Sequence, residues 1–159
     1  MRTLIAVIAA ALASSSAASD SLAHIEEAIR CLTPPEPAEL VLDLREDRLL
    51  GESEGPTPTE ARCWQIVDGL FWKGAEFIAL CAEVDDEKIA YRFDDLFGAD
   101  GLSAMDAIWL RTRMPPDLLA DWVARTIAGG RVAVEATADG ASLTCSSWSF
   151  PVYGLTDST

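Results

Sequence analysis

Apolar and polar positions change period several times along this chain, and each change marks an element. Phe77-Ile78-Ala79-Leu80-Cys81-Ala82 is an unbroken apolar run, as expected of a strand covered on both faces. After the acidic link Asp85-Asp86-Glu87-Lys88, Ile89, Tyr91 and Phe93 alternate with Ala90 and Arg92. Strict alternation predicts a partner strand, and so an antiparallel hairpin at the centre of the core. Leu22, Ile25, Ile29 and Leu32 recur at helical spacing and predict a helix over 20–32 that Pro34-Pro35 ends. Leu40, Leu42 and Leu44 alternate with Val41, Asp43 and Arg45, which predicts a strand with one apolar face, extended by Leu49-Leu50. Gly51 to Pro58 has the composition of a loop.

Thr57-Pro58-Thr59-Glu60 resembles a helix start, with Thr57 as cap and Pro58 at the first helical position. It predicts a helix through Ala61, Trp64 and Val67 to Gly69, against a competing strand over Cys63–Val67. Gly69-Leu70-Phe71-Trp72-Lys73-Gly74 is an aromatic segment between glycines. Ile108, Leu110, Thr112 and Met114 alternate with Trp109, Arg111 and Arg113, predicting a strand from about Ala107. A helix from Ser103 fits the same stretch. Leu118, Leu119, Trp122, Val123, Thr126 and Ile127 give a wide apolar stripe, so a helix is expected over Asp117–Ala128. Val132, Val134 and Ala136 then lead to an Asp139-Gly140 turn and a returning strand, Ser142–Phe150. Together these predict an α+β fold: an antiparallel sheet of about five or six strands with two or three helices packed on it.

The first 18 residues read as an export leader. Met1-Arg2 supplies the charge, Leu4–Ala13 an apolar run too short to span a bilayer, and Ser16-Ala17-Ala18 the small residues of a cleavage site. A single exported domain is expected over 19–155. Cys31, Cys63, Cys81 and Cys145 fit that compartment as two disulfides. Three pairings are open, with Cys31–Cys63 and Cys81–Cys145 preferred. No Cys-x-x-Cys occurs, and the one histidine, His24, reads as a solvated surface residue, so no metal or other cofactor is expected.

The formal charge of −14 narrows the partners. It repels phosphates and anionic lipid, which excludes nucleic acid and argues against membrane binding once the leader is gone. It suits a cationic protein or a small ligand in the cell envelope. Arginine far outnumbers lysine and asparagine is absent, a bias typical of GC-rich bacterial coding.

Most catalytic templates are missing. One histidine cannot readily supply a Ser-His-Asp site, and there is no G-x-S-x-G, P-loop, G-x-G-x-x-G or H-E-x-x-H. The acidic groups Asp85-Asp86-Glu87 and Asp94-Asp95 with Asp100 remain as turn formers or as carboxylates for acid–base work. Trp72, on its glycine-bracketed segment, and Trp109, Arg111 and Arg113, on one side of a strand, are the candidate binding residues. The expected function is an exported, non-enzymatic binding module of the bacterial cell envelope. A small hydrolase using carboxylates near Asp86 and Asp95, an inhibitor of a cationic secreted enzyme, and a purely structural accessory protein are the alternatives.

Overall fold

The longest hairpin of the chain sets the frame. The structure is a computed structural model that describes residues 23–54, 61–93, 95–97, 103 and 105–150. The expected leader over 1–18, the helix start at Thr57–Glu60, Asp94, Asp100 and the tail beyond Phe150 lie outside the described residues. Helix α1 covers residues 23–30 and is followed by α2 (Pro37–Glu46), β1 (Leu50–Glu54), β2 (Arg62–Trp72) and β3 (Ala75–Glu83). Then come α3 (Glu87–Arg92), β4 (Ala107–Thr112), α4 (Pro116–Thr126), β5 (Ala133–Thr137) and β6 (Gly140–Ser146). The fold is α+β, with six strands in the order β1-β2-β3-β4-β6-β5, every neighbouring pair antiparallel.

One face of the sheet carries the main core. Phe77, Leu80, Leu110 and Leu143 meet Ile25 and Ile29 of α1, Leu40, Val41 and Leu44 of α2, and Leu119 and Trp122 of α4. Two expected elements hold: β4 begins at Ala107, and α4 opens with Pro116 at its first positions. The β5–β6 hairpin also forms, but β6 ends at Ser146 and a short 3-10 turn over Ser147–Ser149 replaces the end of the expected strand. Gly140 admits no side chain, because a Cβ there would lie 2.3 Å from the Thr112 carbonyl oxygen of β4.

Other expectations fail for identifiable reasons. Leu40–Leu44 is helix, not strand, because Pro37, Leu40, Val41 and Leu44 fall at i, i+3, i+4 and i+7 and are the buried set. Ile89–Phe93 is not a partner strand. The Asp86 carboxylate accepts the Lys88 backbone N–H at 2.7 Å and starts α3, which buries Ala90 and exposes Tyr91. The stretch from Arg62 to Val67 is strand and not helix, since Cys63 and Trp64 are both buried, on opposite faces. That strand runs on through Gly69. Asp68 and Gly69 both have positive φ (60° and 69°), and the β2–β3 register shifts between Gln65 and Leu70, so the predicted helix stop is a bulge. Lys73 and Gly74 (φ 45° and 86°) then make the tight turn into β3. Gly51 to Glu54 is strand as well, paired to β2.

The disulfides are Cys31–Cys145 and Cys63–Cys81, which corrects the expected pairing. The register explains why. Cys81 lies in the cross-strand row with Trp109 and Thr144, and Cys145 in the next row with Ala82 and Ile108. Adjacent rows face opposite sides of a sheet, so Cys81 and Cys145 point apart. Cys63 and Cys81 are instead direct cross-strand partners, with Cα atoms 3.9 Å apart. Cys31, at the end of α1, reaches Cys145 from the helix side, and no cysteine is free. Two disulfides indicate an oxidising, exported environment. Among the described residues no helix is long and apolar enough to cross a membrane.

Asp106, just before β4, accepts the backbone N–H of Asp85, in the link between β3 and α3, at 3.1 Å. Partial burial raises its proton affinity above the ordinary aspartate value, and the charges of Asp85, Asp86 and Glu36 add to the rise. A raised native-state pKa means that stability increases as pH falls through it, because the buried charge is neutralised. Asp106→Asn keeps an acceptor oxygen and removes the charge. It should therefore melt no lower than wild type at pH 7, and any advantage should vanish on acidification; melting curves from pH 7 to 4 check this.

Candidate functional site

Reading 37–46 as a helix changes what the N-terminal region can do. Glu36, Glu39 and Asp43 fall on one side of α2, facing His24 and Glu27 of α1. Between the two helices and the Pro34-Pro35 link lies a cleft of about 230 Å³. Leu40, Ile108, Pro34, Pro35 and Cys145 supply its apolar wall, while His24, Glu27, Glu36 and Glu39 supply its polar wall. None of the described residues lining it is a lysine or arginine. Arg30, the nearest arginine in sequence, is drawn off to Glu26 at 2.5 Å, one helical turn away on α1.

The cleft's polar groups are fixed by each other. His24 Nδ1 is 2.6 Å from Asp43 Oδ2, which ties α1 to α2. Thr33 Oγ1 donates to Glu27 Oε1 at 3.3 Å. The Glu36 side chain, through a hydrogen bond and then through its charge, holds the Glu39 carboxyl above the usual glutamate range. A carboxyl whose ionisation is opposed by a neighbouring carboxylate marks a place where an added positive charge is stabilised. Among the described residues no group of three or more Asp, Glu, His or Cys side chains converges as a metal site. An acidic wall facing an apolar one can take a positive charge carried on a carbon stem.

The residues expected to bind are divided by the sheet. Trp109 packs on the Cys63–Cys81 disulfide, on the face turned away from the helices. Arg111 lies two residues on, with Nη2 3.8 Å from Asp139 Oδ2, and it lines a hollow together with Arg113. Trp72 is on the other side. Its ring meets Trp122 edge-on at 5.6 Å, half-buried against the main core, with Lys73 Nζ 4.5 Å from its centroid. Trp72 and the Trp109-Arg111-Arg113 stripe do not form one surface.

The carboxylates considered for hydrolysis have other tasks. Asp86 caps α3, and Asp95 pairs with Arg45 at 2.5 Å, which holds its carboxyl below the usual range. Both are exposed. Of the groups in the acidic cleft, His24 was expected as a solvated surface residue and is instead bonded to Asp43, while Glu36 and Glu39 carried no expected role. Their signal was the helical spacing of Pro37, Leu40, Val41 and Leu44, which places the acids on one face once it outweighs the alternation of leucines. No protein-family model, curated protein or solved structure matches the chain.

Proposed function

We propose that this chain is an exported, non-enzymatic binding module of the bacterial cell envelope, working in the periplasm or outside the cell. Its partner is a basic protein that places a lysine or arginine side chain in the cleft between α1 and α2. The observation that carries this reading is the cleft itself: carboxylates on one wall, apolar groups on the other, and no cation among its described lining residues. The formal charge of −14 adds long-range attraction and speeds encounter with a basic partner. The Cys31–Cys145 disulfide pins one side of the cleft, so the walls are set before the ligand arrives.

Calorimetric titration of the full oxidised chain with lysine- and arginine-containing peptides tests the reading. Glu36→Gln with Glu39→Gln should weaken binding by about tenfold or more, the loss of roughly 1.4 kcal/mol. Asp117→Asn with Asp121→Asn, an equal charge change on the exposed side of α4, should have little effect. Equal losses from both pairs would mean that only net charge matters and would remove the cleft from the account.

Acidity supplies a second check. Glu39 holds its proton above the usual glutamate range, so protons compete with the cationic ligand at a higher pH than at an isolated glutamate. Affinity should fall as pH is lowered through that range, and binding should release protons, seen as a buffer-dependent enthalpy. Glu39→Gln should flatten both effects.

A further inference from the structure

We propose that the sheet face turned away from the helices carries a second site, which takes a small zwitterion with a carboxylate, an ammonium group and a short apolar body, such as an α-amino acid. The site is a hollow of about 260 Å³ over β2, β3 and β4. Arg111 and Arg113 stand on its β4 side, and Glu76, Ile78 and Ala79 line it from β3. Gln65 of β2 adds an amide at the rim.

The hollow exists because β2 bulges. The left-handed pair Asp68-Gly69 shifts the register between Gln65 and Leu70 and draws the strand out of simple alternation with β3. Gly69 also seats the acid, since a Cβ at that position would lie 3.0 Å from Glu76 Oε1. The Glu76 carboxylate and the Arg113 guanidinium thus line one concavity, yet neither makes an ion pair among the described residues. Opposite charges that line one hollow without pairing are joined by a ligand that carries both complements. A guanidinium fork donates to the ligand's carboxylate, and Glu76 accepts from its ammonium. Overall charge selects the same class. A free carboxylate approaches a chain of formal charge −14 against repulsion, whereas a zwitterion has no net charge to be repelled.

The test is a backbone-amide NMR titration of the full oxidised chain with three probes of one shape: L-leucine, 4-methylpentanoate without the ammonium, and 3-methylbutylamine without the carboxylate. L-leucine up to about 20 mM, enough to register millimolar affinity, should shift Gln65, Ile78 and Ala79 saturably. Each half-molecule should bind at least tenfold more weakly. Glu76→Gln and Arg113→Gln should each weaken L-leucine about tenfold, with amides away from the hollow unmoved and peptide binding at the α1–α2 cleft unchanged. Three results overturn the proposal: no saturable shift, 4-methylpentanoate equal to L-leucine, or shifts confined to the cleft around Glu36 and Glu39.

Discussion

Replacing Cys31 and Cys145 together by alanine should cost about 4–5 kcal/mol, and replacing Cys63 and Cys81 only about 3 kcal/mol. The difference follows from the lengths of chain enclosed. The first bond joins residues 114 apart and the second residues 18 apart. In the chain-entropy picture the longer loop removes more freedom from the unfolded chain, though only logarithmically. Position acts in the same direction. Cys63–Cys81 links two strands that are already the longest hydrogen-bonded pair in the sheet, so its loss leaves their ladder standing. Cys31–Cys145 joins the end of α1 to β6, beside the Arg131 backbone N–H that donates to the Cys31 carbonyl at 3.1 Å and Gly130, which sits against the Arg30 carbonyl, so its loss frees a helix end that no strand ladder holds. Set against a typical domain stability of about 5–15 kcal/mol, the first double variant approaches unfolding. Urea titrations of both variants under oxidising conditions read the two losses. A larger loss from the Cys63/Cys81 pair would contradict the ordering. Loss of α1 from the body should also open the acidic cleft, so cationic-peptide binding should fall in the first variant and persist in the second.

How much of this was legible before the fold was known depends on what competed at each place. The apolar run at Phe77–Ala82 and the stripe at Leu118–Ile127 gave correct elements because burial and local preference agree there. The alternating leucines of 40–44 satisfied two periods at once, and the four buried positions of α2 decided for the helical one. At Ile89–Phe93 the hydrogen bond from the Lys88 backbone N–H to the Asp86 carboxylate outweighed an alternating pattern of side chains. The disulfide pairing was hidden for a different reason. It depends on which face each cysteine takes, and that is fixed only by the register of four strands with one another. The acidic cleft was hidden with it, because His24 meets Asp43 across 19 residues and only after α1 and α2 pack side by side. Arg111 and Arg113 were visible as a pair on one side of a strand. Glu76 was not, since its place beside them comes from a bulge that the sequence marked only as a glycine.

Trp122→Ala should destabilise the chain by about 3–5 kcal/mol, the range for removing a buried large aromatic. Trp122 is the contact through which α4 holds the tip of the β2–β3 hairpin. It is 6% exposed, and its ring meets Trp72 at 5.6 Å and Phe77 at 5.9 Å, both edge-on. Its Nε1–H donates to the Lys73 carbonyl at 3.0 Å, within the tight turn itself. Alanine would remove the packing and leave that carbonyl without its donor. Trp122→Phe would keep most of the apolar contact and lose the hydrogen bond, so its cost should be nearer 1–2 kcal/mol. Trp72→Ala is the informative companion. As a free docking residue Trp72 would affect a partner and leave stability alone. Half-buried against Trp122, it should instead lower stability, by about 2 kcal/mol or more, and the two losses should not add, because each variant removes the same ring contact. Denaturant curves of both single variants and the double variant measure that coupling. Strict additivity would mean that the aromatic contact contributes nothing, and that α4 is held to the hairpin by Leu119 and the strand backbone alone.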